Sequence, residues 1–426
     1  MNKINFNYKL ESFLIILIPF FLVFSRFLLE TCLLLVTLSF LSIVIKKKET
    51  KLFESIFTKL FTLFFLVLLL SYFFSEFKTE TITILFYFRF YFYILALSFF
   101  FIKEKNLTNY FFYSLIFLIL ILFVDSILQF YSGKNIIGYE NLEKHRITSF
   151  FDDEQILGSF VSKIFVILIF AKVLLSETKK KTHLLLNIAL IASPICIILS
   201  GERSAILMFF IMLVYFLCFF FREKKLNYFY YFSFLGVILL TIFLLSSKTY
   251  YDRYITQTIN SIFNINYSQN RDLIPNDVKS KYNFYFLSAQ HQNYLETSLK
   301  IFDQNKVIGS GPKSYRYICK DKSVNINYYS CGSHPHNYYL QFISEIGLIG
   351  FVFIFLIYLY IILKSIINFY ALTVKKKYDI FKILILGYYF AQLWPVTQTG
   401  NFFNNYNSIM FFLPLSIYIS FTLKKN

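Results

Sequence analysis

The residues best suited to chemistry lie in the stretch Cys331–Gly350, which reads CGSHPHNYYLQFISEIGLIG. His334 and His336 flank a proline, whose fixed φ and restricted neighbour favour an extended segment in which both rings point to one side. Because histidine titrates nearest neutral pH, such a pair suits a general base and its partner. Asn337 equally suits the N-cap of a helix beginning in the apolar run after it. The two interpretations are compatible.

A metal site is the other chemistry that two histidines can support. A nearby third ligand is missing, and the sequence contains no HEXXH motif. His291 belongs to the same long polar segment as His334 and His336, so the three rings could instead converge in a metal-free site. We predict no metal and no cofactor.

Arginine residues supply candidate phosphate ligands, because the planar guanidinium fork matches phosphate oxygens. The stretch LSGERSA places Glu202 and Arg203 at the end of an apolar run. A charge there can simply mark the boundary by snorkelling to the interface. At headgroup level, Arg203 could instead hold a lipid-linked phosphate or pyrophosphate. Arg146 and the acidic residues up to Glu154 form a second charged cluster at the same face.

Composition identifies an integral membrane protein. The 426 residues are 57% hydrophobic and 15% charged, whereas soluble domains are about 45–50% apolar and about 25% charged. The net charge of +18 could indicate nucleic-acid binding. Much of it is lysine in short loops between apolar runs, however, as the positive-inside rule and anionic lipids favour. We therefore expect membrane lipids as partners and exclude nucleic acid.

The apolar runs predict an all-α, polytopic fold that forms one membrane domain over residues 1–426. About twelve runs approach the roughly 20 residues that cross a bilayer. They lie near residues 10–25, 28–45, 56–74, 82–102, 109–131, 154–175, 183–200, 204–221, 227–246, 343–363, 380–395 and 406–423. A large polar loop, residues 247–337, separates the ninth run from the tenth.

Basic residues predict the orientation of these spans. A basic cluster follows every even-numbered span, and such clusters stay on the cytoplasmic side. The clusters are Lys46–Lys48 with Lys51, Lys103 with Lys105, Lys179–Lys181, Arg222 with Lys224 and Lys225, Lys375–Lys377, and Lys424 with Lys425. Both termini are therefore predicted to be cytoplasmic, and the large loop and the site candidates are predicted to face the other side.

Four further residues admit more than one interpretation. Cys319 and Cys331 lie in the outer loop, where an oxidising compartment permits a disulfide that would brace the segment leading to the histidines. Sequence cannot test the geometry that this bond needs. Arg89 and Asp125 lie inside predicted spans, where ionisable groups usually face the bundle interior. They could form a structural pair or line a cavity.

Several of these motifs together resemble the O-antigen ligase and O-antigen polymerase superfamily. The stretches that carry the resemblance are RITSFFDDEQILGSF, LSGERSA, HQNYLETSLKIFDQNKVIGSGPKSYR, SHPHNYYLQFISEIGLIG and GNFFNN. The most specific is H-x-H-N followed by LQ, an acidic residue and GLIG. The resemblance implies a bacterial inner-membrane glycosyltransferase whose active site faces the periplasm and whose donor is a glycan on undecaprenyl pyrophosphate.

The resemblance also implies roles for individual residues. His336 matches the histidine taken as catalytic, and Arg203 matches the arginine implicated in binding the donor pyrophosphate. Many relatives have a second arginine where this chain has His291, so His291 itself or Arg316 is expected to take its place. The remaining candidates are expected to support the site: His334, Asn337, Glu202, Arg146 and Glu154.

The implied function is that of an O-antigen ligase, which transfers the glycan to lipid A-core in lipopolysaccharide biosynthesis. A repeat-unit O-antigen polymerase, which transfers it to another lipid-linked glycan, is the closest alternative; the H-x-H-N motif and the large loop favour the ligase. A lipid-linked glycan transporter is the second alternative, for which Arg89 and Asp125 would line the path. The polar residues concentrate on one face and no internal repeat is evident, which argues against transport.

The implied reaction is metal-independent and inverting. His336 would remove or orient the proton of the acceptor hydroxyl as its oxygen attacks the anomeric carbon. Arg203 would offset the negative charge that grows on the leaving pyrophosphate. No carboxylate pair with a glycosidase role stands out in the sequence.

Overall fold

The computed structural model shows a helical chain. The residues that it describes are 7–49, 51–141, 143, 146–175, 180–220, 236, 246–263, 285–326, 330–374 and 378–425. Within these residues, extended pairing is limited to an isolated bridge between Lys134 and Glu140. The all-α prediction is therefore confirmed for this part of the chain.

Long helices account for most of the described residues. In chain order they are α1 (Lys9–Phe24), α2 (Arg26–Lys47), α3 (Ile56–Phe74), α4 (Arg89–Lys103), α5 (Leu107–Ser132), α6 (Leu157–Leu174), α7 (Lys180–Leu199), α8 (Arg203–Phe220), α9 (Ala289–Gln304), α10 (Tyr338–Thr373), α11 (Ile380–Gln392) and α12 (Asn405–Lys425). Short helical turns are Lys51–Glu54, Ile82–Phe86, Ser149–Phe151, Lys248–Tyr251, Asp252–Thr256, Gln257–Phe263 and Tyr315–Ile318.

Eight helical segments in the described ranges are long and apolar enough to cross a membrane. They comprise α2, α3, Ile82–Lys103, α5, α6, the Thr182–Leu199 part of α7, α10 and most of α12. Two further apolar helices, α8 and α11, are shorter. These lengths and compositions support a multi-pass membrane protein.

The observed helices overlap the predicted spans wherever the two can be compared. The predicted ninth span, residues 227–246, lies almost entirely outside the described residues. The side chains of the basic clusters at 179–181, 222–225 and 375–377 also lie outside them. The total of twelve spans, the place of the large loop and the single-domain organisation stay predictions.

Close packing of aromatic side chains fills the interior of the helix bundle. Helix α4 packs against α2 and α12, α5 against α1 and α7, and α6 against α7 and α8. Phe99, Phe100 and Phe101 are at most 1% exposed. In lipid such packing, rather than the hydrophobic effect, favours helix association. Some hydroxyl groups inside the bundle bond to the helix backbone; for example, Ser98 Oγ donates to the Ile94 carbonyl oxygen at 2.8 Å.

Helix α10 is interrupted at Gly347, where the glycine has φ 70° and ψ −160°. The backbone freed by the interruption pairs with residues 306–311, as where the Leu348 amide donates to the Lys306 carbonyl oxygen at 2.8 Å. A Cβ on Gly347 would lie 2.5 Å from the Gly309 nitrogen. The glycines of the VIGSG and GLIG motifs thus allow two backbones to meet, and this contact fixes the loop against α10.

Candidate functional site

The rings of His334 and His336 are neighbours, with centroids 4.1 Å apart. His334 is 7% exposed, and its Nε2 lies 3.1 Å from the Thr399 carbonyl oxygen. Because a carbonyl only accepts, Nε2 carries the proton, and Nδ1 of the neutral ring accepts from the Ser333 hydroxyl at 2.8 Å. Both ring nitrogens are therefore occupied, so His334 positions its neighbour and takes no proton from a substrate.

The His336 ring is the one available for proton transfer. Neither of its nitrogens has a hydrogen-bond partner among the described residues, and the residue is half-buried. Burial lowers the pKa of His336, which keeps the ring neutral and able to accept a proton at neutral pH. Its backbone is held in place, because the Thr399 amide donates to the His336 carbonyl oxygen at 2.9 Å.

The local backbone differs from the extended segment that the proline predicts. His336 has φ 53°, in the left-handed region, because the chain turns here to begin α10. Asn337 is the N-cap, and its Oδ1 accepts from the Tyr339 amide at 2.9 Å. Its Nδ2 donates to the Pro395 carbonyl oxygen at 2.7 Å. Asn337 thus starts the helix and also ties the His336 turn to the segment before α12.

His291 and Tyr294 join the site from α9. The His291 and His336 ring centroids are 6.3 Å apart, and those of Tyr294 and His336 are 5.2 Å apart. Ser288 caps α9 and its Oγ lies 2.7 Å from His291 Nδ1. Burial lowers the pKa of His291 to about 4, with smaller contributions from the charges of His336 and Arg203. Three histidines of the predicted loop therefore converge.

Arg203 is the first residue of α8 and approaches the same site. Its Nη1 donates to Ser261 Oγ at 3.2 Å and to the Gln257 carbonyl oxygen at 3.4 Å. These contacts anchor the guanidinium on residues 257–261. The charge of Arg203 contributes to the lowered pKa of His291, so Arg203 belongs to the surroundings of the histidines.

Arg253 is a basic residue that the sequence analysis missed. Its Nε donates to the Gly201 carbonyl oxygen at 3.1 Å and its Nη1 to Gln257 Oε1 at 3.1 Å. The pKa of Arg146 is lowered by burial and by the charge of Arg253. Arg146, Arg203 and Arg253 therefore gather around the turn before α8. Position in the outer loop was the only available signal for Arg253, since the loop sequence does not show which of its residues reach this turn.

Glu202 has a structural role. It is 7% exposed, and its Oε1 accepts from the Gly158 amide at 2.6 Å, at the start of α6. Ile156, the N-cap residue of α6, makes no side-chain capping bond, so Glu202 caps this helix from a distant part of the chain. Burial raises the pKa of Glu202 to about 7, and the hydrogen bonds at the helix start and the charge of Arg146 oppose this shift.

The predicted charged cluster of Arg146 and Glu154 is not formed. Glu154 makes an ion pair with Arg26, at the beginning of α2. Arg146 lies 3.9 Å from Glu143. Proximity in sequence was misleading here, because the turn Ser149–Phe151 and the start of α6 separate the two side chains.

The two ionisable residues predicted inside spans do not pair with each other. Arg89 Nη2 lies 3.5 Å from a Glu30 carboxylate oxygen. Asp125 Oδ1 accepts from the Ile136 amide at 2.9 Å, and its other oxygen accepts from the Ser149 hydroxyl. Asp125 therefore holds the loop after α5, which supports a structural role over a transport path.

Arg316 lies apart from the partners of Arg203. It belongs to the short helix Tyr315–Ile318 and lines a separate polar cavity.

A disulfide joins Cys319 to Cys331, with Cα atoms 5.1 Å apart. This bond connects the turn that carries Arg316 to the segment that leads to His334.

Metal ligation has no support in the described part of the chain. No group of three or more His, Cys, Asp or Glu side chains there could hold a metal ion. The metal-free reaction stays a prediction.

A histidine whose pKa is lowered by burial lies near half-buried arginine residues at the ends of apolar helices. Such a site could move a proton next to an anion. The model of the O-antigen ligase family matches residues 188–355, which supports the resemblance to the O-antigen ligase superfamily. No curated protein matches the chain. Several residues of the site fall within the matched range: Glu202, Arg203, His291, Arg316, His334, His336 and Asn337.

Proposed function

We propose that the protein is an O-antigen ligase. It would transfer a glycan from undecaprenyl pyrophosphate to a hydroxyl group, on lipid A-core, at the periplasmic face of the inner membrane. The observation that carries this proposal is the His336 ring, whose pKa is lowered, whose neighbours His334 and Tyr294 are buried, and whose nitrogens have no hydrogen-bond partner among the described residues. The orientation, with both termini in the cytoplasm, rests on the basic clusters of the sequence.

The proposed reaction is a single displacement. The acceptor oxygen forms a bond to the anomeric carbon while the bond from that carbon to the pyrophosphate oxygen breaks. The electron pair leaves with pyrophosphate, and the acceptor proton passes to a nitrogen of His336. One displacement inverts the anomeric configuration.

Arg203 would lower the barrier by offsetting the charge that develops on the leaving pyrophosphate. Its hydrogen bonds to residues 257–261 hold the guanidinium before substrate arrives, so little reorganisation is needed during the reaction. His291, which carries no charge at neutral pH because its pKa is about 4, can donate or accept a hydrogen bond but adds no positive charge. Arg203 is therefore the main candidate for the donor anion.

A repeat-unit polymerase remains the second candidate, since only the acceptor distinguishes it from a ligase. A transporter has less support from the structure than from the sequence, because Arg89 pairs with Glu30 and Asp125 holds a loop.

The test uses purified protein in detergent with undecaprenyl-pyrophosphate-linked glycan, lipid A-core and EDTA. We expect transfer to lipid A-core by the wild type and at least a hundredfold loss in His336→Ala and in Arg203→Ala. His183→Ala, a histidine at the start of α7, is the matched control and should remain active. Glycan elongation on the lipid carrier alone would indicate the polymerase. Full activity of His336→Ala would remove the catalytic role of this residue.

A further inference from the structure

A second basic site lies on the His334 side of the histidine pair. It is a cavity of about 310 Å³ between α2, the turn around Arg316 and the beginning of α12. Three basic and three amide side chains contribute to its wall: Arg26, Lys313, Arg316, Asn401, Asn404 and Asn405. Arg203 is not part of this wall.

Two of the basic groups in the wall make no ion pair with a described residue. Arg316 has no hydrogen bond or ion pair with any described residue, and its buried Nε is unsatisfied. Lys313 Nζ donates to Thr83 Oγ1 at 3.1 Å and makes no ion pair within the described ranges. Burial lowers the pKa of Lys313, and the charges of Arg89 and Arg316 add to this effect, while those of Glu345 and Glu30 oppose it. Two neighbouring cations facing a polar cavity would be stabilised by a bound anion.

The acidic groups near the cavity offset these two cations only in part. Glu30 pairs with Arg89 at 3.5 Å, and Arg26 pairs with Glu154. Glu80 accepts from the hydroxyl of its neighbour Thr79 at 2.7 Å. The charge of Glu345 acts on both Lys313 and Arg316, but neither cation makes an ion pair within the described ranges, so both can still bind a ligand.

Helix α10 holds both walls of the cavity in place. Glu345 accepts from the Lys313 amide at 2.9 Å and from the Tyr315 amide at 3.2 Å. Gln341 Nε2 donates to Glu345 at 3.0 Å and to Asn401 Oδ1 at 2.9 Å. The acidic residue and the glutamine of the LQFISEIGLIG stretch thus fix the cation-bearing turn and the asparagine segment before a ligand binds.

The cavity and Arg203 are each close to a different neighbour of the His336 ring. The charge of Arg316 contributes to the lowered pKa of His334, whose ring contacts His336. Arg203 acts instead on His291, whose ring centroid lies 6.3 Å from that of His336. A transferase that joins two substrates at one catalytic base needs two binding sites next to that base, one for each substrate.

We propose that the cavity of Lys313 and Arg316 binds a phosphate group of the acceptor substrate. This assignment rests on the proposed function, in which Arg203 holds the donor pyrophosphate, and it replaces the expectation that Arg316 contacts the donor. Phosphorylated core lipid and a lipid pyrophosphate both carry the required group. The side-chain amides of Asn404 and Asn405 would hydrogen-bond the adjoining sugar.

The first experiment measures binding without catalysis. Inorganic pyrophosphate is titrated into detergent-purified Arg203→Gln protein by calorimetry, so that the cavity is the site that remains. We expect Arg316→Gln or Lys313→Gln, added to this background, to weaken the remaining binding at least tenfold. Lys320→Gln removes an exposed charge from the same loop and should change nothing. Unchanged binding in the Arg316→Gln protein would overturn the anion site.

The second experiment assigns the substrate. We expect Arg316→Gln to raise KM for lipid A-core at least tenfold, with kcat and KM for the donor unchanged. With phosphatase-treated lipid A-core as the acceptor, the variant and the wild type should have the same KM. If KM for the donor rises instead, the cavity binds the donor and not the acceptor, and the proposal is wrong. Displacement of pyrophosphate by phosphatidylglycerol and not by lipid A-core would assign it to membrane lipid and overturn the proposal. If no variant or wild type shows transfer but the binding pattern holds, the proposed function fails while the anion site stands.

Discussion

The His334 ring lies 4.1 Å from the His336 ring, centroid to centroid, yet only His334 has both nitrogens in hydrogen bonds. The Thr399 backbone serves both residues, since its carbonyl accepts from the His334 ring and its amide donates to the His336 carbonyl oxygen. Through Thr399, His334 therefore holds His336 in place, and their different contacts give the two adjacent histidines different roles.

Activity should persist below the ordinary pKa of histidine. The base form of His336 is neutral, and burial lowers its pKa, so the neutral form survives to lower pH than it would in water. We expect kcat/KM to be level from pH 8 to 7 and to fall to half only below about pH 6.5. A pH–rate profile checks this. An acidic limb centred above that value would contradict the assignment of His336 as the base.

Replacing His334 should affect the rate more than substrate affinity. His334→Ala removes the bond to the Thr399 carbonyl and frees the His336 turn, and misplacement of a catalytic group costs about 10²-fold in rate. His334→Gln retains a side-chain donor and should recover part of kcat. Steady-state kinetics of both variants test this, and equal losses in the two would argue against a role through Thr399.

Glu202 should make stability depend on pH. Its pKa is raised in the folded protein to about 7 from 4.5, so the folded state binds more protons than the unfolded state between these values. Stability from this group is therefore greatest at low pH and falls as pH rises from 4.5 to 7. We expect Glu202→Gln to melt closer to the wild type at pH 5 and to become relatively more stable at pH 8. Glu140→Gln, an exposed carboxylate, is the control. If the difference in melting temperature between the wild type and Glu202→Gln does not vary with pH, this linkage is excluded.

The two glycine substitutions Gly347→Ala and Gly138→Ala separate backbone strain from a steric clash. Both residues have positive φ, but a Cβ on Gly138 meets no atom within 4 Å, whereas one on Gly347 lies 2.5 Å from the Gly309 nitrogen. The left-handed conformation alone costs about 1–2 kcal/mol. We expect Gly138→Ala to show that cost in thermal melting, and Gly347→Ala to be more destabilised or to fail to accumulate. Equal melting temperatures would show that the loop can move away from α10.

Reduction of the Cys319–Cys331 disulfide should loosen the site. The bond closes a short loop, with a sequence separation of 12, and such bonds contribute about 2–4 kcal/mol. We expect reductant to lower the melting temperature of the wild type and of Cys218→Ser, whose cysteine is free. The double variant Cys319→Ser with Cys331→Ser should melt lower from the start and be insensitive to reductant. Sensitivity of the double variant would point to another target of the reductant.

Some features of the site followed from local rules and others did not. Asn337 was expected to be an N-cap, and it is, because capping depends on residues within one turn. The pairing of Glu154 with Arg26 joins positions 128 residues apart, and nothing in either local sequence specifies it. Glu202 looked like part of a charged boundary motif, but its function as the cap of α6 depends on the fold bringing α6 to it.

The sequence by itself determined the class of protein and the stretches that matter. Membrane-length apolar runs force helices, because every backbone polar group in lipid must bond within its own segment. Motif resemblance then selected His336 and Arg203. Only the tertiary structure decided which histidine has both nitrogens in hydrogen bonds, that Arg253 joins Arg203, and that Arg316 faces a different cavity. Those outcomes depend on how helices distant in sequence pack together, and the charges and hydrogen bonds of one segment do not specify its neighbours.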